Sequence, residues 1–572
     1  MTDTQPNDFT GVLPHIPDDM TLAQFMLGCQ HDIQPERQNI PCLIDNDTGR
    51  TIGMVELKRR TEQLSIGLAQ TFRIGENDVG KGSRPSQSHR YAIYIVYTLR
   101  AEFHGTKDYP VAIWATHLLG GIVTCSNPQL KVDELVHQLN TVKVKLILVN
   151  SSALGTALSA ARIIGLPSDR IVLIDATECN NSAAEFSSEA WTIPRLVSAG
   201  EQAAASFSDS RASTNGTVKG SSKVALLCWS SGTTGPPKAV AISHTALIAN
   251  IIQMAVHNGV KRSEGSIRKR RSYNPGDVAL GVLPFYRKKF AVPSSLCKHA
   301  ASPSAILLHD RRGDWEVLLS RHAQKYFSLR YFSPLPSTTS SISSDEGAAP
   351  VPPPVQETLF RLFPNVQIGQ AYGLTEMTTT VSMIAADQEH GRLGSSGRLL
   401  PGIMARVIKP DGSVAESGER GELVVKGPAS AMGYFNDPAA TKETFVNGWV
   451  RTGDEVVVTE DQEVFVLDRI KEMIKVKGFQ VAPAELEGCL LTHPDVEDAC
   501  VVSVLDDVGR ELPTAYVVLS TSTSRCLQRN ETRSVQCKQS IIDFVTQHKA
   551  PYKRLTGGVL FTEVIPVSDR AT

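Results

Sequence analysis

Residues 230–238 read SSGTTGPPK, between an apolar run, KVALLCWS (223–230), and a helix-like segment, SHTALIANIIQMAVH (243–257). Glycines at 232 and 235 let backbone N–H groups approach an oxyanion. The hydroxyls of Ser230, Ser231, Thr233 and Thr234 add donors, and Lys238 adds a positive charge. A strand entering such a loop and a helix leaving it form a phosphate cradle. The spacing of Gly232, Gly235 and Lys238 does not fit G-x-x-x-x-G-K-[ST], so this is not the loop of the P-loop proteins.

Upstream, the same strand–helix alternation continues. VAIWATHLLGGIVTC (111–125) reads as a helix passing through a glycine pair into a strand, and KVDELVHQLNTV (131–142) has helical apolar spacing. KLILVN (145–150) is a short buried strand, SALGTALSAARIIG (152–165) a helix and RIVLID (170–175) another strand. Strands separated by helices imply βαβ units and a parallel sheet. Residues 200–222 read as a small-polar linker. Downstream, EDACVVSVLDD (497–507) and PTAYVVL (513–519) are strand-like and KQSIIDFVTQH (538–548) is helical. The expected fold is therefore α/β. A large N-terminal domain (1–467) of parallel-rich sheets flanked by helices precedes a small α+β C-terminal domain (468–572).

Composition bounds the function. The chain has 572 residues, 41% hydrophobic and 20% charged, with a formal net charge of −1. That balance argues against a nucleic-acid partner or a membrane-surface protein. The N-terminus is polar and acidic rather than a signal peptide, and no run of about 18 apolar residues offers a membrane span. The sequence ends Arg570-Ala571-Thr572, not Ser-Lys-Leu, and its ten cysteines include no C-x-x-C pair. A cytoplasmic protein with reduced thiols is expected. The histidines show no H-x-x-x-H metal spacing.

Two stretches break the pattern. Residues 80–106 interrupt the sheet pattern with basic and polar text, and residues 287–346 lack sustained periodicity and end in a Ser/Thr/Pro run. They are read as damage to the coding sequence, a retained intron or a frameshift. The alternative is an unusual loop or disordered insertion.

The loop does not stand alone. SSGTTGPPKAV, QAYGLTE (370–376), GYFNDPAATKETF (433–445) and GWVRTGD (448–454), in that order, resemble the adenylate-forming superfamily of acyl-CoA synthetases, luciferases and peptide-synthetase adenylation domains. DRIKEMIKVKGFQVAPAELE (468–487) is similar to that superfamily's hinge and the start of its mobile C-terminal domain. The resemblance covers roughly 40–80, 107–286 and 347–569. The Lys-Gly-Phe-Gln form of the hinge, with LPFY (283–286) and GAAP (347–350), looks most like 4-coumarate–CoA ligases and related aryl or acyl-CoA ligases.

The resemblance implies a two-step ligase using ATP, Mg²⁺ and coenzyme A to convert a carboxylic acid, aromatic or phenylpropanoid, to its CoA thioester. Secondary metabolism is the implied setting. By position, Ser230 to Lys238 would hold the β- and γ-phosphates, Thr375 would contact the α-phosphate and Glu376 would ligate Mg²⁺. Tyr372, followed by Gly373, would stack on adenine beside the backbone of Gly347, Ala348 and Ala349. Asp454 would accept from the ribose hydroxyls, with Arg469 nearby. Lys475 and Gln480 would serve thioester formation, and Lys477, Gly478 and Phe479 would line the pantetheine path.

Blander readings stay open for each residue. Asp454 caps a turn, Glu376 is a surface carboxylate, Tyr372 is core, and Lys475 and Lys477 belong to a solvated basic face. The sequence also departs from the pattern. Tyr286 is followed by Arg287-Lys288-Lys289, which leaves the acid pocket unreadable. Ile565, Pro566 and Ser568 align with the segment that precedes the superfamily's catalytic Gly-Lys, and that pair is expected just after Thr572. Lys553 comes too early to replace it. The alternatives are therefore a medium-chain acyl-CoA ligase or a catalytically defective nucleotide-binding remnant.

Overall fold

The protein is described by a computed structural model. It covers residues 13–33, 41–45, 51–74, 92–96, 108–126, 130–174, 190–206, 220–230, 237–259, 278–280, 305–308, 341–344, 353–364, 367–385, 388–470, 472, 474–476, 479–481, 483–506, 511–527, 531–549 and 551–565.

The apolar runs of the N-terminal half assemble into one eight-stranded sheet. Its six-strand centre is parallel, in the order Val224–Ser230, Ile122–Ser126, Ala92–Val96, Val144–Val149, Ile171–Leu173 and Trp191–Thr192. Lys238–Ser243 adds antiparallel to Val224–Ser230, and Gly433–Tyr434 closes that edge. Alternate residues of a strand feed opposite cores. Leu146 and Leu148 pack with apolar residues of Met54–Phe72, Asp108–Leu118 and His244–His257. Ile147 and Val149 pack with Leu135, Leu139 and Val142 of helix Val132–Val142 and with the alanines of Leu154–Ile164. Helices on both faces explain why these strands read as unbroken apolar runs rather than alternating ones.

Further along, Gln367–Gly373 pairs antiparallel with Thr380–Met383. A five-stranded antiparallel sheet holds Met404–Ile408, Arg420–Lys426, Phe445–Val446, Trp449–Val458 and Val464–Arg469. The smaller C-terminal domain has the hairpin Ile474–Val476 and Phe479–Val481, and a sheet of Val496–Leu505, Glu511–Leu519 and Gly558–Phe561. Cys537, Ile541 and Val545, four residues apart on helix Glu531–His548, close its core. The molecule is α/β, with a large N-terminal and a smaller C-terminal domain.

Three stretches that read as irregular contain regular elements. The stretch 80–106 does not interrupt the sheet: Ala92–Val96 pairs in parallel with both Ile122–Ser126 and Val144–Val149, placing it at the sheet's centre. Two neighbouring strands satisfy its backbone whatever the polarity of the flanking text. Within 287–346, Ala305–Leu308 pairs with the strand Pro41–Asp45 and Ser341–Ser344 with Gln367–Gly373. The linker reading of 200–222 is too long at its start, because helix Ile193–Ser206 runs through Gly200–Ser206. The rest of 80–106 and 287–346 lies outside the described residues. Among the described residues no helix is long and apolar enough to cross a membrane.

Candidate active site

Two described strands flank the phosphate-cradle sequence. Ser230 ends one strand and Lys238 starts the next, and the two are register partners. Ser231, Gly232, Thr233, Thr234 and Gly235 lie outside the described residues, as do Gly347, Ala348, Ala349, Lys477 and Gly478.

Tyr372 and Gly373 end the strand Gln367–Gly373, and Thr375–Met377 turns as one short 3₁₀ segment. The turn is tight: a Cβ on Gly373 would lie 1.6 Å from the Thr379 carbonyl oxygen, so the backbones approach as only glycine permits. Thr378, at φ +67°, turns the chain out again, and its hydroxyl donates to the Ala429 carbonyl at 2.5 Å. Thr375 is 3% exposed, and its buried hydroxyl has no hydrogen-bond partner among the described residues. Glu376 is 7% exposed. Its side chain accepts from the Tyr434 hydroxyl at 2.8 Å, and its backbone carbonyl accepts from the Ala431 N–H at 2.8 Å. The surface-carboxylate reading of Glu376 therefore fails.

Asp454, 4% exposed, sits in Trp449–Val458 opposite Arg469 of Val464–Arg469. Its Oδ2 accepts from the Tyr372 hydroxyl at 2.6 Å, and its Oδ1 faces the Arg469 Nε at 3.3 Å. Burial pushes the Asp454 carboxyl above the usual carboxylate range, although Arg469 and Tyr372 pull it down. Burial, followed by the Asp454 charge, raises the Tyr372 hydroxyl well above its ordinary value, so it remains a donor. The turn contact is also present: the Asp454 N–H donates to the Thr452 hydroxyl at 3.1 Å. That bond uses the backbone and leaves the carboxylate to the site.

The sequence profile of the AMP-binding enzyme family matches residues 104–288 and 307–435, and that of the AMP-binding enzyme C-terminal domain matches 485–569. The chain belongs to the AMP-binding enzymes. It is 31% identical, over 96% of its length and 92% of the relative's, to the acyl-CoA ligase AFT1-1 of Alternaria alternata. It is 29% identical to a 4-coumarate–CoA ligase-like protein of Oryza sativa subsp. japonica, over 92% and 82% of the two chains. In fold it resembles an anthranilate–CoA ligase solved with anthranoyl-AMP, at TM-score 0.71 and 18% identity over 97% and 96% of the chains. The adenylate-forming resemblance is thereby shown, and it makes the chain a member of the acyl- and aryl-CoA ligase group.

Within this AMP-binding enzyme, the residues expected at the site divide into those brought together and those not. Tyr372 joins Asp454 and Arg469, while Glu376 and Lys238 are linked through Tyr434: the Lys238 Nζ lies 5.3 Å from the Tyr434 ring centre. Lys475 and Gln480 are direct register partners in the hairpin of the smaller domain. Lys553 and Lys549 both bond Glu485, an acid they hold below its usual range against the effect of burial. Sequence reasoning missed Tyr434, although it lies in the quoted GYFNDPAATKETF. Its one signal is an aromatic directly after a glycine, and nothing in the spacing connects residue 434 to 376.

Proposed function

We propose that this AMP-binding enzyme is an ATP-dependent acid–CoA ligase acting on an aryl or phenylpropanoid acid. The acid's carboxylate oxygen bonds to the α-phosphorus of ATP, the α–β phosphoanhydride breaks, and pyrophosphate leaves. The sulfur of coenzyme A then bonds to the acyl carbon, the acyl–oxygen bond to phosphorus-bound oxygen breaks, and AMP leaves.

The observation that carries this reading is the juxtaposition at the end of Gln367–Gly373. There a buried Thr375 hydroxyl, unpartnered among the described residues, and a buried Glu376 carboxylate lie in the turn that follows Tyr372, which reaches Asp454. An unpartnered buried hydroxyl has a donor to give, and an α-phosphate oxygen is an acceptor of the right kind. Ser230 to Lys238 would hold the β- and γ-phosphates. The Tyr372 ring would stack on adenine beside Gly347 to Ala349, and Asp454 with Arg469 would hold the ribose. Lys475 and Gln480 would serve the thioester step, with Lys477 and Gly478 on the pantetheine path.

Among the described residues no group of three or more His, Cys, Asp or Glu side chains is placed to hold a metal ion by itself. The single carboxylate of Glu376 beside a hydroxyl fits Mg²⁺, a hard cation carried mainly by substrate phosphates. When bound, Mg²⁺ neutralises charge building on the phosphates. Glu376 would hold it.

The relatives' names support both acyl and aryl acids, so a medium-chain acyl substrate is the second reading. Acid-dependent AMP release is the test, with a panel of aryl and fatty acids, with and without coenzyme A. Aryl acids are expected to release AMP and form thioester. Preference for fatty acids selects the second reading. No acid-dependent AMP with any acid refutes the ligase and leaves a defective nucleotide-binding remnant.

A further inference from the structure

Tyr434 takes no part in the steps above, yet it touches both charged side chains proposed to meet the phosphates. Gly433–Tyr434 pairs antiparallel with Lys238–Ser243, with Tyr434 opposite Val240. Lys238, two residues along, is therefore its diagonal cross-strand neighbour, within reach of an aromatic ring. The Lys238 Nζ lies 5.3 Å from the ring centre, and the hydroxyl at the ring's far end donates to Glu376 Oε1 at 2.8 Å. Among the described residues no ion pair joins Lys238 to Glu376.

The tyrosine is held on several sides. Its N–H donates to the Thr441 hydroxyl at 2.9 Å, and the N–H groups of Met432 and Phe435 donate to the Ala241 and Ala239 carbonyls at 2.8 and 2.7 Å. The ring meets Phe445 edge-on at 5.9 Å. Gly433 enters this turn at φ +130°, and a Cβ there would lie 2.5 Å from the Thr441 methyl carbon. The Ala431 N–H bond to the Glu376 carbonyl ties the same segment to the backbone of Glu376. Side chain and main chain of Glu376 are thus fixed by one four-residue stretch, Ala431–Tyr434.

We propose that Tyr434 is a positioning residue. Its hydroxyl aims the Glu376 carboxylate, and its ring separates that carboxylate from the Lys238 ammonium, so the two do not neutralise each other before the triphosphate arrives. A cation over the ring face keeps a favourable partner while remaining available to phosphate, which a carboxylate partner would not allow. The proposal rests on the ATP-dependent reading above.

Two substitutions separate the two tasks. Tyr434→Phe keeps the ring and removes the hydroxyl. It is expected to lower kcat for acid-dependent AMP release roughly 10- to 100-fold, the usual effect of losing a group that orients a ligand-holding residue. The KM for ATP should stay within about twofold, because binding of the ground state is untouched. Tyr434→Leu removes the separating ring as well, and the ATP dissociation constant measured by calorimetry is expected to rise roughly tenfold.

In a Glu376→Gln background, Tyr434→Phe should add no further loss, as two members of one contact do. Losses that multiply in the double variant, or Tyr434→Phe at wild-type kcat, overturn the positioning role while leaving the ligase reading intact. A lowered unfolding midpoint with kcat and KM changed alike makes Tyr434 merely structural and also overturns it. Wild-type chain that neither binds ATP nor releases AMP overturns the ligase reading and this proposal together.

Discussion

Asp454→Asn separates recognition of the nucleotide from stability of the fold. The carboxylate is 4% exposed, and burial holds its pKa up in spite of Arg469 and Tyr372. Because the folded pKa is raised, the charged form is the disfavoured one, and above the folded pKa the chain carries that penalty in full. The amide removes the buried charge and still offers an oxygen to the Tyr372 hydroxyl, which now reaches Asp454 at 2.6 Å. What is lost is the pairing with Arg469. That side chain is 48% exposed and can turn to water, so the loss is worth at most about 1 kcal/mol. Relief of desolvation works in the opposite direction, and the nucleotide-free unfolding free energy should change by about 1 kcal/mol or less.

Nucleotide binding should respond very differently to the same change. A charge-assisted hydrogen bond to a ribose hydroxyl is worth about 1.5–3 kcal/mol, which is roughly 10- to 100-fold in affinity. ATP at about 100 times the wild-type Kd stabilises the wild type by about 2.7 kcal/mol, and the variant by about 1.4 kcal/mol or less. Denaturant unfolding with and without ATP reads both numbers. A nucleotide-free loss of about 3 kcal/mol would show Asp454 to be a structural ion-pair member, and an unchanged ATP increment would refute its place at the ribose.

Two further perturbations test the frame of the site. Gly373→Ala puts a methyl 1.6 Å from the Thr379 carbonyl oxygen, and it should destabilise by about 3 kcal/mol while abolishing AMP release; wild-type stability by denaturant unfolding would show that the turn can open. Burial lowers the pKa of His117 to about 4; its Nε2 bonds the Ala225 carbonyl at 3.2 Å, and the His244 ring stands 4.8 Å away. The unfolded chain binds that proton first, so the stability is present above about pH 6.5 and is lost as pH falls towards 4, by about 3 kcal/mol. His117→Gln should flatten that part of the acid limb in a pH series of unfolding free energies, and an unchanged slope would exclude His117 as its source.

The legible parts of the chain are those whose structure is decided locally. KVALLCWS and KLILVN read as buried strands because both faces of the sheet are covered, and helix Val132–Val142 because Leu135, Leu139 and Val142 fall on one side. Ala92–Val96 was hidden because its role is set by two partners distant in sequence, while its neighbours on the chain are basic and polar. The site divides in the same way. Tyr372, Thr375 and Glu376 sit in one turn and are readable from one short motif. The Tyr372–Asp454 bond spans 82 residues and the Tyr434–Glu376 bond 58, and only the register of the sheets brings them together.

Those long-range bonds also make the two ends of the site unlike. At the proposed ribose end the Asp454 carboxylate already has Tyr372 and Arg469 as partners, so a sugar hydroxyl would share or displace a bond that exists. At the proposed phosphate end the Thr375 hydroxyl has no partner among the described residues, and Lys238 lies over the Tyr434 ring. At the proposed ribose end the charge-assisted bond, about 1.5–3 kcal/mol, comes by exchange with an existing contact, whereas at the phosphate end a buried orphan gains a partner outright. The phosphate end is therefore the part of the proposed site where binding adds a partner rather than exchanging one, next to the bond that the proposed reaction breaks.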